Sequence, residues 1–151
     1  MRLQTKYFGE IEYNKEDVLV FSNGLFGFED EKEFLLLPFE GSSETLLCFQ
    51  SIQTSHLAFI AMNPFSVNPA YAPVLSDEEL RQMEVSHSKD LCYYVLCVVK
   101  EPIAESTLNF KCPVVVNPDT SRAAQVILNT DQYHMRHRLD EFHGEEGGRT
   151  C

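Results

Sequence analysis

Positive charge is scarce in this chain: 12 lysines and arginines stand against 23 aspartates and glutamates, for a formal net charge of −11. A field of that sign repels phosphate backbones and anionic lipid surfaces. It excludes direct nucleic-acid and membrane-surface binding and leaves a basic protein as the natural partner. Long apolar runs are also missing. The longest, "LCYYVLCVV", falls far short of the roughly 20 residues needed to span a bilayer. Met1 to Glu10 alternates polar and apolar residues and lacks the uninterrupted apolar core of a secretory signal, so a cytoplasmic chain is expected.

The motifs of catalysis are absent as well. There is no CxxC pair, no GxSxG elbow, no phosphate-cradling glycine loop and no GxGxxG fingerprint. "GLFGF" has its glycines at another spacing and no helix pattern after it. Five cysteines make an odd set, and Cys48, Cys92, Cys97 and Cys112 sit in apolar runs that suit reduced, buried thiols better than disulfides or nucleophiles. Cys112, before a proline at a strand break, is the least improbable nucleophile of the set. His134, His137 and His143 fall close together, but their segment carries no convincing helical period, so they read as solvated tail histidines and no metal or other cofactor is expected. Neighbouring carboxylates such as Glu29 and Asp30 would point to opposite faces of a strand and make no acid–base pair.

What is present is strand pattern. Leu3, Thr5 and Tyr7, then Ile11 and Tyr13, then Val18 and Val20 alternate with polar residues, as half-buried antiparallel strands do. Four further runs, 34–37, 45–49, 57–62 and 91–99, are apolar on both faces and belong in the middle of a sheet or barrel. Leu57, Phe59, Tyr93 and Val95 are expected to point inward and fill it. Pro102 and Pro113 break strands, Asn117-Pro118-Asp119 turns the chain, and 122–128 supplies a last strand. One segment reads as helix, "SDEELRQME", in which Ser76 and Glu79 form a capping box and Asp77, Glu78 and Glu79 sit at the positive end of the helix dipole. The expected architecture is therefore mainly β: a small, antiparallel, barrel-like single domain over 1–136 with one short helix. Residues 137–151 read as a polar, mobile tail, and the Gly41-Ser42-Ser43 cluster as an ordinary loop.

The stretch "GLFGFEDEKEFLLLP" combines a glycine-kinked corner with three apolar side chains, Leu25, Phe26 and Phe28, and a charged run from Glu29 to Glu33. Exposed aromatics rimmed by charge are the composition of a protein-contact surface. The same rings could equally close the end of the sheet as core.

Taken in order, "GLFGFEDEKEFLLLP", "LAFIAMNPF", "YAPVLSDEEL", "VVKEPIAESTLNFKCPVVVNPDTSRAAQVIL" and "YHMRH" resemble the flagellar assembly factor FliW family, from Thr5 to His137. Relatives commonly carry a small residue where this chain has Cys112. The resemblance implies a β-barrel-like cytoplasmic protein without enzymatic activity. It would bind newly made flagellin or, exclusively, the translational regulator CsrA, antagonising CsrA allosterically and so relieving repression of the flagellin message. Candidate partner-facing residues are Phe26, Phe28, Glu29 and Asp30 at the corner, Asp77, Glu78 and Glu79 on the helix, and Asn63 and Tyr71 in the matching stretches. Two other readings stand beside it: a small-ligand carrier or enzyme on a closed barrel, and a structural subunit of a larger assembly.

Overall fold

The computed structural model describes residues 1–39 and 46–143. The alternating N-terminal residues form a hairpin of β1 (Arg2–Gln4) and β2 (Glu10–Glu12), with Leu3 opposite Ile11. The hairpin lies beside the sheet: the Lys6 N–H donates to Gln50 Oε1 at 2.9 Å, and the Tyr7 and Phe8 rings meet Phe39 at 5.7 and 5.0 Å.

After a single 3-10 turn come β3 (Leu19–Phe21), β4 (Glu33–Pro38), β5 (Leu46–Ser51), β6 (Ala58–Met62), β7 (Cys92–Val98), β8 (Thr107–Leu108), β9 (Val114–Asn117), β10 (Arg122–Gln125) and β11 (His137–Arg138). Seven of them close into a ring in the order β7-β6-β5-β4-β3-β10-β9, with β9 returning to β7. Six seams are antiparallel, and the seam between β3 and β10 is parallel. An odd number of strands cannot alternate in direction around a closed ring, so one seam must break the alternation.

A barrel this small is filled by its own side chains. Its lumen holds Phe21, Phe34 and Phe49 at zero exposure, with Ala61, Val114, Val116 and Ala123, and with Phe59, Cys92, Tyr94 and Leu96 packed against them. A second core lies on the other face of β7 and β9, where Tyr93, Val95 and Val115 meet Tyr71, Leu75, Met83, Phe110, Leu128 and Tyr133. Phe59 thus points inward as expected, whereas Tyr93 and Val95 do not: they belong to the second core, and Cys92, Tyr94 and Leu96 take the lumen. A strand buried on both faces carries no alternation from which its parity could be read.

The segment covering the second core contains α1 (Pro64–Val67) and α2 (Asp77–Gln82); a third turn, α3 (Asp140–His143), follows β11. Three short helices thus replace the single one expected among the described residues, and α2 is where the capping box placed it. Ser76 Oγ accepts from the Glu79 N–H at 3.1 Å and the Glu79 carboxylate accepts from the Ser76 N–H at 2.9 Å. The buried Asn117 amide donates to the Met83 carbonyl at 2.8 Å and ties the end of α2 to β9. None of these helices is long and apolar enough to cross a membrane.

Paired backbone runs past 136. His137 and Arg138 pair with Leu108 and Thr107, and His137 is 9% exposed, its ring against Phe110 and Tyr133. Its Nε2 accepts from the His134 N–H at 2.8 Å, so Nδ1 carries the proton and faces Glu141 Oε2 at 3.1 Å. His137 is therefore a packed histidine and not a solvated one. The 41–43 loop, Thr45 and the tail from 144, with Cys151, lie outside the described residues, as does the side chain of His143.

Candidate functional site: an aromatic corner and an open seam

The corner is a tight, well-bonded turn. Gly24 has φ +67°, and a Cβ there would sit 2.6 Å from the Glu29 backbone, so only glycine fits. Leu25 and Phe28 exchange backbone hydrogen bonds at 3.4 and 2.8 Å, and the Phe26 N–H donates to Gln125 Oε1 at 3.0 Å. This geometry divides the three apolar side chains. Leu25 is 1% exposed and enters the lumen, while Phe26 and Phe28 are 47% and 40% exposed.

The charged run divides as well. Glu29 and Asp30 are exposed, and the Gly27 N–H donated to Glu29 Oε2 at 3.0 Å holds the Glu29 carboxyl below the usual carboxylate range. Glu31 turns toward the sheet, accepting from Ser51 Oγ at 2.5 Å and Thr54 Oγ1 at 2.7 Å. Lys32 Nζ donates to the Ser22 carbonyl. The anionic rim is thus narrower than the sequence implies.

On α2, Asp77 and Glu78 are exposed, with Glu78 3.8 Å from Arg81, while Glu79 is half-buried and engaged in the cap. Asn63 caps α1, its side chain accepting from the Phe65 N–H at 2.9 Å. Tyr71 is 4% exposed, donates its hydroxyl proton to the Phe110 carbonyl at 2.8 Å and packs against Phe110 and Tyr133. Burial raises its pKa. In this fold Tyr71 is core and presents no contact surface.

Beside the corner lies a feature with no local signature in the sequence. Phe28 stacks edge-on against Phe59 of β6 at 5.0 Å. Phe59 also lines a cleft of about 340 Å³ with Ile60, Leu96 to Val98, Thr107, Asn109, Met135 and Arg136. The β6–β7 ladder consists of Ala61↔Leu96 and Met62↔Val95 only; beyond it, Cys97 and Val98 pair with β8 on the other edge of β7 and not with β6. Ala58 to Ile60 therefore has β5 on one side and, among the described residues, no paired strand on the other. Val98 is 59% and Met135 56% exposed at the cleft.

Burial pushes the Cys48 and Cys97 thiols up to about 11 and raises Cys112, so at neutral pH all three are protonated and poor nucleophiles. Among the described residues no group of three or more histidines, cysteines or carboxylates is arranged to hold a metal ion. What the surface offers is apolar contact, an unpaired strand edge and charge.

Comparison with known proteins gives a consistent result. The model of the FliW protein family matches residues 2–139. A flagellar assembly factor FliW of Ruminiclostridium cellulolyticum is 36% identical over 147 residues, covering 97% of this chain and 99% of its own. One of Anoxybacillus flavithermus is 40% identical over 139 residues, covering 92% and 94%. A solved crystal structure of a flagellar assembly factor FliW is 35% identical and superposes with a TM-score of 0.86 over 92% of this chain and 96% of that one.

Proposed function

Because the chain belongs to the FliW family of flagellar assembly factors, we propose that it serves flagellar assembly as a non-enzymatic cytoplasmic binding protein. It holds newly made flagellin and, when flagellin is absent, captures the translational regulator CsrA instead. Capture antagonises CsrA away from its RNA-contacting face and lifts repression of the flagellin message. Such allosteric action requires this protein to bind one state of CsrA more tightly than the other.

The observation that carries this reading is the pairing of a family match over nearly the whole chain with a surface built for contact. Phe26 and Phe28 stand half out of the fold beside Glu29 and Asp30. The net charge of −11 suits a regulator that must itself be basic to bind RNA. A carrier or enzyme in the lumen is disfavoured, since phenylalanines occupy that space and the thiols are held protonated.

The test is size-exclusion chromatography of the full chain with flagellin and with CsrA separately. Co-elution with each is expected. Elution of the chain alone in both mixtures would overturn the reading, and a stable homo-oligomer that ignores both would favour a structural subunit.

A further inference from the structure

The open seam between β6 and β7 identifies a mode of recognition as well as a place. Ala58 to Ile60 is an extended segment with one edge unpaired among the described residues, and it borders a cleft walled by Phe59, Leu96, Val98 and Met135. Unpaired strand edges recruit further strands, and natural proteins protect them by charge, proline or coverage. Here no proline or charged residue stands in β6, and the side chains lining the cleft are mostly apolar, with Thr107, Asn109 and Arg136 as the polar ones. Backbone hydrogen bonds to such an edge give affinity, and pockets for alternate side chains give specificity.

The lip of the cleft also states a charge preference. In a chain of net charge −11, its charged lining residue is a cation, Arg136. Arg136 makes no hydrogen bond or ion pair with any described residue, whereas Arg2, Arg81, Arg122 and Arg138 each lie against a carboxylate. A guanidinium left unpaired at an apolar cleft suits an incoming carboxylate, with which it can form a forked, charge-assisted pair.

We propose that this cleft takes up an extended segment of a partner polypeptide as an added strand along β6. The segment's alternate apolar side chains lie over Phe59, Val98 and Met135, and an acidic side chain meets Arg136. Phe28, in contact with Phe59, extends the same apolar surface toward the corner. The proposal rests on the reading of the chain as a polypeptide-binding protein, but it assigns a different chemistry to this face. The exposed carboxylates of the corner and of α2 attract a basic surface, whereas the cleft selects an acidic, apolar strand.

The probe is an end-blocked heptapeptide, Thr-Val-Glu-Val-Thr-Val-Thr, with a counterpart carrying lysine in place of glutamate. Binding to the full chain is followed by amide hydrogen exchange and NMR titration. The glutamate peptide is expected to slow exchange in β6 at the outward amides of Ala58 and Ile60 and to bind a few-fold, about fivefold at most, more tightly than the lysine peptide, the range of an exposed ion pair. Arg136→Glu should reverse that order, and Val98→Asp should weaken binding roughly tenfold. Both positions are exposed, and Met135→Glu offers a second route to the same loss if either variant fails to fold. Protection confined to other strands, equal affinity for the two peptides, or binding indifferent to Val98→Asp and Met135→Glu would overturn the proposal. Flagellin and CsrA are run against the same variants. Should both bind the wild type and both ignore every cleft variant, the cleft assignment fails and the proposed function stands. Should the peptide bind as expected while neither protein does, the proposed function fails and the cleft stands.

Discussion

Gly24 and Phe26, two residues apart, have opposite tolerances, and the difference follows from backbone geometry. Gly24→Ala places a Cβ 2.6 Å from backbone at a positive φ. It should cost at least about 2 kcal/mol, a fall in melting temperature of roughly 5–10 °C read by circular dichroism. Phe26→Ala removes a ring that is already 47% exposed, so the melting temperature should move by no more than about 2 °C. If the corner touches flagellin, the same change should weaken capture about tenfold in a titration, because exposed aromatics at an interface carry disproportionate binding energy. A large loss of stability would instead mark the ring as core. The buried thiols give a further prediction. Cys48 and Cys97 titrate near 11 in the fold but near 8.5 in an unfolded chain. A raised folded pKa contributes stability that is complete below the unfolded value and lost as pH rises through the folded one. Urea midpoints should therefore fall steadily between about pH 8.5 and 11, and Cys48→Ala should flatten that slope.

Among the elements, α2 and its anchor offer the clearest test. Asn117→Ala would leave the Met83 carbonyl buried without its donor and should cost about 1–3 kcal/mol in denaturant unfolding. Charge reversal of Asp77 and Glu78 leaves the capping box intact, because Glu79 alone closes it. It should slow association with CsrA and flatten its salt dependence; unchanged rates at low salt would remove α2 from the docking surface. Elements of this kind were legible where chemistry is local. Ser76 and Glu79 announced α2, and alternation announced the first hairpin. What was not legible depended on partners distant in sequence. Tyr93 and Val95 could not be assigned a face because both faces of β7 are covered. Tyr71 looked like surface until Phe110 and Tyr133 closed over it, and His137 like tail until β8 paired with β11. Asn63-Pro64 was a matching motif before it was a helix start. The open seam had no signature at all, since it is defined by where the β6–β7 ladder stops.

At the scale of the whole molecule, two packed cores share the strands β7 and β9, one inside the barrel and one outside it under the 63–91 segment and the C-terminal elements. Outside the two cores stand an aromatic corner, an anionic surface and a splayed seam. The proposed function holds that flagellin and CsrA occupy this molecule in alternation, and a competition titration tests it most directly. A preformed complex of the chain with labelled flagellin is titrated with unlabelled CsrA while the anisotropy of the label is followed. Mutual exclusion predicts that anisotropy falls to that of free flagellin and that the apparent affinity for CsrA weakens in proportion to the flagellin present. Anisotropy that stays constant or rises as CsrA binds would mean that both sit on the protein together, and would contradict the account.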